Sequence, residues 1–439
     1  MGHIIQNFDA LAENELRRDA LEIAEAGYEA IHVGNALRHK LKIENDELIV
    51  NSARCHLTET VRKHLAGRRV FFVGIGKCAL VTAEAIEELL GDHLTSGIAI
   101  DVSPIERNLK KIETFIGTHP LPSEKNELAT KRVLEFLLNL SEDDLVIFLV
   151  SGGGSTLLCS YESPMTSADE SILFKELTAH GASIQDMNTV RKHTSRARGG
   201  GLARAAYPAE VVTLIVSDVP GNDIQFISSG PTVRDTSTIS DAETVLARYG
   251  IAAPESVTFI ETPKEEKYFE RVTNILFLSN EDALSAIKDA AAQRGYATEL
   301  VDRQFVGEAR EVGRAIVEKL HAAPTKTALF YAGESTVTLK DVGHSSQGGR
   351  NQEMALAALA DIRDDEIILP FASDGHDNTD HAGAIGDSVS REHALTHDLS
   401  IEKYLDEHRS YDFFTTTGDA LNTGYTGSNV SDIIIALKK

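Results

Sequence analysis

Short apolar runs of strand length alternate with stretches of helical period along most of the chain, the pattern of α/β proteins with largely parallel sheets. Arg69–Gly74 reads as a strand, with a helix following over Lys77–Leu90. Pro122 and Ser123 open another helix, with Ser123 placed to cap it and Ala129, Val133, Phe136 and Leu140 falling on one face. Leu145–Val150 and Val211–Val216 are uninterrupted apolar runs, as expected of central strands covered on both faces. A second alternating series begins near Asn274, followed by a helix over Glu281–Arg294 that Gly295 would close. Further strands are expected at Thr327–Tyr331, Ile367–Ala372 and Asp432–Leu437. Between the two series, residues 250–271 carry Pro254, Pro263 and the charged run ETPKEEKYFER with little apolar period. A domain boundary is placed there, dividing the chain into residues 1–265 and 266–439.

Composition narrows the picture. With 439 residues, 42% hydrophobic and 25% charged, the chain is long enough for two or three globular domains. No apolar run approaches membrane-spanning length, and the first residues lack the basic and apolar regions of a signal peptide. Cys55, Cys78 and Cys159 are widely spaced and odd in number, which suits reduced core thiols in a cytoplasmic protein. A formal charge of −24 excludes DNA or RNA as a natural partner. Against that background, residues 187–209 contain no Asp or Glu but do contain Arg191, Lys192, Arg196, Arg198 and Arg204. This is either an anion site or a solvated basic face.

Ligands of parallel α/β sheets bind at the carboxyl ends of strands, so the loops after the apolar runs are the places to look. Gly74-Ile75-Gly76-Lys77-Cys78-Ala79 fits GxGxxA, a variant of the dinucleotide fingerprint, and is not a P-loop. Lys77 would sit at a helix N-terminus, where the macrodipole disfavours a cation unless a bound anion offsets it. Ser151-Gly152-Gly153-Gly154-Ser155 follows a strand directly, and its glycines allow successive N–H groups to converge on phosphate oxygens. Asp218 ends the next strand, as a magnesium ligand, a general base or an ordinary turn residue. Farther on, Gly348-Gly349-Arg350-Asn351 precedes a helix, and Arg350 has the planar fork that grips carboxylate or phosphate. Asp374 lies in the acidic loop Ser373–Asp377 after another strand. No compact His/Cys spacing of a transition-metal site appears.

Taken in order, VGIGKCA (73–79), THPLPSEKN (118–126), SGGGSTLL (151–158), NTVRKHTS (188–195), SDVPGND (217–223), SSGPT (228–232), GGRNQE (348–353), SDGHDNTDHAG (373–383) and TGSNVSD (426–432) resemble the class II glycerate 2-kinase family. The C-terminal part of that family is often called the MOFRL domain. The resemblance implies two three-layer α/β domains, the first Rossmann-like, with the active site in the cleft between them. It implies ATP and magnesium as cosubstrates, D-glycerate as the partner molecule and 2-phosphoglycerate as product. Lys77 and Arg350 would contact substrate or phosphate, with Asp218 and Asp374 as the catalytic or metal-binding acids. Gly74, Gly76 and residues 151–155 would hold the nucleotide, and Arg191, Lys192 and Asn351 the glycerate. Two departures stand out: Asn378 where the pattern has glycine, and the lead VGHSSQ into residues 348–353. The fingerprint after the first strand leaves a nicotinamide-dependent hydroxypyruvate reductase as the competing expectation, with Asp101 a distant ribose-binding acid. Kinases of longer 2-hydroxy acids and a non-catalytic sugar-acid sensor are the others. A homodimer is the working expectation for assembly.

Overall fold

The computed structural model describes residues 2–54, 57–102, 108–339 and 347–439. Its first sheet is a small antiparallel one: β1 (Leu41–Glu44), β2 (Glu47–Arg54) and β3 (Leu57–His64). Asn45 and Asp46 both take left-handed φ values, 52° and 59°, which makes the tight two-residue turn between β1 and β2. These strands are absent from the expectations above, because the segment carries too many polar residues to read as an apolar run.

The main sheet of this region contains β4 (Val70–Ile75), β5 (Leu94–Asp101), β6 (Ile112–Ile116), β7 (Leu145–Val150), β8 (Glu210–Val216) and β9 (Val272–Leu278). All pair in parallel, in the order β6-β5-β4-β7-β8-β9. The chain builds outward from β4 to β6, then returns to lay β7 on the other side of β4. This reversal of strand order opens a crevice at the carboxyl ends of β4 and β7. Every residue of β4 and β7 is buried, as their uninterrupted apolar runs require. One face of the sheet carries Val73, Phe148 and Ile215 against Ala129 and Val133 of the helix Glu124–Phe136. The helix Ala79–Leu90 covers the other face and begins two residues later than expected.

The second large sheet contains β10 (Ala297–Phe305), β11 (Thr327–Gly333), β12 (Glu366–Ala372), the two-residue strands β13 (Gly383–Ala384), β14 (Gly386–Asp387) and β15 (Ala420–Leu421), and β16 (Asp432–Lys438). Its order is β10-β11-β16-β12-β13-β15, with β14 also on β12. The expectation of a largely parallel sheet is corrected here, because among its described strands β10 and β11 alone pair in parallel. β16 inserts between β11 and β12 and runs against both. A strand buried on both faces reads as DIIIALK whichever way it runs, so its direction is not visible in its residues. The helices Ala309–Ala322 and Arg350–Ala358 lie on one face, and Tyr28 packs on Phe371 from the other.

The chain divides into two compact units: Val33–Leu278, and a discontinuous one of Met1–His32 with Ser279–Lys439. Two features of the division near residue 265 therefore change. The strand that seemed to start the second series is β9, the edge of the parallel sheet, and the charged run before it is a loop within that unit. The first 32 residues belong with the mixed sheet. The helix Glu15–Ile31 packs on the helix Asn280–Gln293 so closely that a β-carbon at Gly27 would lie 2.7 Å from Ile287. Arg17, fully buried, ties the segment down through Asp387 at 2.7 Å and Asp419 at 2.8 Å.

Candidate active site

In the parallel-sheet unit, the loops after β4 and β7 are laced together. Gly76 (φ 112°) receives no side chain without collision, because a β-carbon there would strike Ser151. The Lys77 N–H donates to the Gly152 carbonyl at 2.9 Å, and the Cys78 N–H to Ser151 Oγ at 3.2 Å. Ser228 Oγ closes on the Ser151 carbonyl at 2.6 Å and fills the space beside Gly154. Ser155 Oγ bonds Ser229 Oγ at 2.8 Å, and Ser229 Oγ donates to Asn188 at 2.7 Å. Gly74 lies inside β4 and gives room for Phe72 and Ala79. Most of these expected nucleotide-contacting residues thus build the loop pair itself. Gly153 is different. At φ 83° it looks outward, with only the Lys77 stem (3.4 Å) and the His119 ring (3.5 Å) near its absent side chain. The N–H groups of Gly152 and Gly153 have no acceptor among the described residues.

Charged groups gather around this opening. Lys77 and Asp218 are both half-buried, and both bear on the Cys78 thiol, whose pKa is driven well up, by burial first and then by Asp101. Arg191 reaches the end of the glycine loop, donating to Thr156 Oγ1 at 3.0 Å while held by Glu170 at 3.1 Å. His119 was not among the expected site residues, although THPLPSEKN contains it. Its pKa is pushed down to about 4, by desolvation first and then by the Lys77 and Arg191 cations. Asp101, the acid weighed for a ribose, is buried and accepts from the Leu80 and Val102 N–H groups, so it caps the helix that follows β4.

The basic stretch 187–209 is corrected as an open anion site. Lys192 is buried on Asp235 at 3.1 Å, Arg198 on Glu170 at 2.8 Å, and Arg196 pairs with Glu162. Each acid comes from a distant part of the chain, which is why local composition misread the stretch. Of its cations, Arg191 is the one placed beside the glycine loop. Cys78 and Cys159 are free and buried, in line with core thiols, and Cys55 lies outside the described residues.

In the mixed-sheet unit the antiparallel insertion of β16 sets the chemistry. Its register places Asp432 opposite both Gly333, the end of β11, and Ala372, the end of β12. Glu334 and Asp374, which follow those strands, are therefore brought to the same sheet edge as Asp432. Arg350, first residue of its helix, holds Asp432 through Nε at 2.5 Å and also pairs with Glu334. Burial pushes the Asp432 carboxyl up to about 7 in spite of Arg350. Asp377 is likewise raised to about 6 by burial, although it accepts from the Asn351 and Gln352 N–H groups at 3.0 and 2.8 Å.

Asn351 is fully buried on Asp377, so its amide supports the loop and does not present itself to a ligand. Asp374 is half-buried and accepts from the His376 N–H at 3.0 Å. Asn378 takes φ 55°, a left-handed turn that glycine fills freely and asparagine tolerates. The atypical lead at 342–346 lies outside the described residues. A pocket of about 350 Å³ opens beside Arg350, lined also by Ser335, Glu353, Asn378 and His408. Ser335 Oγ is buried there without a partner among the described residues. Asp432 ends the segment TGSNVSD but was not singled out, because its place at the acidic edge comes from the register of β16; Ser335, two residues past β11, carried no readable signal.

The described residues hold one group of three ligand side chains near enough to share an ion, Glu13, His393 and Asp419. Arg17 already bridges Glu13 and Asp419, at 2.9 and 2.8 Å, so this group is built around a guanidinium. Asp218 and Asp374 offer hard carboxylate oxygens that suit magnesium, but each supplies too few to enclose it alone.

Sequence profiles of two families match the chain: "Domain of unknown function (DUF4147)" over residues 19–260, and the MOFRL family over 327–432. A D-glycerate 2-kinase of Thermotoga maritima is 37% identical, over 84% of this chain and 90% of that protein. The chain belongs to the DUF4147/MOFRL glycerate kinase family. The crystal structure of glycerate kinase from Thermotoga maritima superposes with a TM-score of 0.83 at 33% identity, covering 97% of this chain and 99% of that one. A protein of Agrobacterium vitis described as a putative hydroxypyruvate reductase is 38% identical, over 83% of this chain and 86% of its own. This chain is accordingly a glycerate kinase family enzyme, and a kinase family implies ATP. No helix of the described residues is long and apolar enough to cross a membrane.

Proposed function

We propose that the enzyme transfers the γ-phosphoryl group of ATP directly to the C2 hydroxyl of D-glycerate, giving 2-phosphoglycerate and ADP. The observation that carries this reading is the juxtaposition at the strand-order reversal: Gly153 with open N–H groups and Lys77 beside it. Such a place binds phosphate oxygens through backbone dipoles and one point charge. Phosphoryl transfer needs positioning and charge neutralisation more than covalent help from the protein. Lys77 and the loop 151–155 neutralise phosphate charge, and Asp218, which together with Lys77 acts electrostatically on Cys78, is the acid of this unit assigned to orient the acceptor hydroxyl. Within the parallel-sheet unit, Arg191 at Thr156 is a cation suited to a carboxylate such as that of glycerate. Within the mixed-sheet unit, Arg350 keeps N–H donors beyond those given to Asp432 and Glu334, a planar fork suited to the same kind of group. Magnesium, bound by Asp218 or Asp374 together with phosphate oxygens, would supply charge neutralisation at the transferred group.

The reductase reading is disfavoured by Asp101, whose carboxylate is spent on the Leu80 and Val102 N–H groups, and by Lys77 within the fingerprint. One experiment separates the two. ADP release would be measured with ATP and magnesium on D-glycerate and L-glycerate, beside NADH oxidation on hydroxypyruvate, with phosphorus NMR of the product. ADP release with D-glycerate and a 2-phosphoglycerate resonance is expected. A 3-phosphoglycerate resonance would overturn the C2 acceptor, and NADH oxidation without ADP release would overturn the kinase.

A further inference from the structure

His119 combines a pinned backbone with an unengaged ring. The Thr118 N–H donates to Asn126 Oδ1 at 2.8 Å, and Thr118 Oγ1 to the Leu121 carbonyl at 2.8 Å. Asn126, fully buried, returns its amide to the carbonyls of Thr118 and Thr156, each at 2.9 Å. Thr156 Oγ1 donates to the Pro120 carbonyl at 3.1 Å. The residues on both sides of His119 are therefore tied to the helix Glu124–Phe136 and to the glycine loop. The residue keeps solvent-exposed surface while its ring is partly desolvated, and neither ring nitrogen has a hydrogen-bond partner among the described residues. A side chain presented in this way loses little freedom when a ligand arrives.

Its position is specific. A β-carbon on Gly153 would lie 3.5 Å from His119 Cδ2, 3.7 Å from Nε2 and 3.4 Å from Lys77 Cγ. The space over Gly153 is thus bounded by an imidazole and a lysine stem. The charged groups acting on the ring are Lys77 and Arg191; Glu170 pairs with Arg191 at 3.1 Å, and Asp218 and Lys77 both act on the neighbouring Cys78. Desolvation first, and then these two cations, with no carboxylate bearing directly on the ring, keep the imidazole neutral while the space is empty.

We propose that His119 contacts the phosphoryl group bound over Gly153 and Lys77, and that it gains a proton as that anion arrives. The proposal rests on the kinase reading of this loop. An anion there cancels the field of Lys77 and Arg191 and gives the ring N–H an acceptor, and both effects favour the imidazolium. The proton comes from solvent, an N–H bond forms at the ring, and no other bond changes. Because the ring binds its proton more tightly in the complex, phosphate affinity gains below the pKa of the bound state and loses that gain above it. A rise of about two units from about 4 would make the ligand bind about tenfold tighter at pH 5 than it would to a ring that cannot titrate.

The test is histidine NMR on the full chain labelled with ¹⁵N and ¹³C at histidine, with His119→Asn identifying the resonance. It is recorded from pH 5 to 8 alone, with saturating ADP, and with saturating 2-phosphoglycerate. The expected result is a ring that stays neutral throughout in the free protein and titrates inside this range with at least one of the two ligands. In step, His119→Asn and His119→Gln should raise KM for ATP more than they lower kcat and flatten the extra affinity for ADP at pH 5. ADP and 2-phosphoglycerate binding with an unmoved His119 resonance would overturn the proposal and leave the kinase reading standing. Failure of the wild-type chain to bind ADP or release it from ATP would overturn the kinase reading instead. Should both variants fail to fold, the wild-type titration decides alone.

Discussion

Gly153→Ala separates a glycine kept for its ligand from one kept for its loop. At φ 83° an alanine costs about 1–2 kcal/mol, because its β-carbon meets its own backbone in the left-handed region. Nothing else in the structure resists it, since the nearest neighbours stand 3.4 and 3.5 Å away, ordinary contact distances. In a unit the size of Val33–Leu278, that cost lowers Tm by about 2 to 8 °C. The methyl would nonetheless project into the space between Lys77 and His119, where a phosphate oxygen is argued to lie. Activity should fall far more than stability does: kcat/KM for ATP down by about two orders of magnitude, the scale of losing an aligned donor at a charged transition state. Gly76→Ala is the control, because its β-carbon would run into Ser151 and the variant should lose the fold of the loop pair outright. Thermal melting and the ADP-release assay on the same preparations give both numbers. If Gly153→Ala melts a few degrees low and keeps kcat/KM within twofold, the space over Gly153 is not where phosphate binds. Lys77 and His119 would then have no phosphate to contact there.

Other perturbations test other parts of the structure. Arg350→Ala should cut turnover by about two to three orders of magnitude, and should also destabilise the mixed-sheet unit by an amount that grows with pH, because Asp432 then faces burial without its cation; equal Tm losses at pH 6 and 8 would contradict this. The Asp432 and Asp377 carboxyls are held at about 7 and about 6, above the unfolded value of 3.8, so their protons stabilise the fold below pH 4 and that contribution is lost as pH rises through 6 and 7. Asp432→Asn should therefore gain stability relative to wild type between pH 4 and 8, as read by urea unfolding in EDTA, and a constant difference would refute the assignment. Arg17→Met leaves Asp387 and Asp419 buried without their partner and should cost about 3–5 kcal/mol; a loss below about 1 kcal/mol by urea unfolding would show that the cluster relaxes.

What the sequence revealed and what it concealed follow from the range of the interactions involved. β4, β7 and β8 were readable because strands buried on both faces must be apolar throughout. The loops after them were readable because a left-handed turn such as that at Gly153 selects glycine locally. β16 was readable as a strand, while its direction was not, since a strand's orientation depends on where its connection crosses. That single fact hid the acidic edge, because Asp432 joins Glu334 and Asp374 only through antiparallel register with β11 and β12. The basic stretch misled for the same reason: Lys192 and Arg198 find Asp235 and Glu170 in space, far along the chain. His119 was overlooked although it stands in the segment THPLPSEKN, because nothing local shows which of sixteen histidines a loop will set beside a glycine turn.

The discontinuous unit carries a consequence for synthesis. The helix Glu15–Ile31 buries one face on partners that begin at Ser279, so it leaves the ribosome about 250 residues before anything can cover it. At about 5–20 residues per second, that is a wait of roughly 12 to 50 s. During it, Leu16, Leu21, Ile23 and Tyr28 have no core to join. The inserted unit Val33–Leu278 can meanwhile close on itself, so the order of assembly runs from the middle of the chain outward. A nascent-chain complex stalled only after residue 280 has cleared the ribosomal tunnel should accordingly show a finished parallel sheet and a helix still within reach of a chaperone.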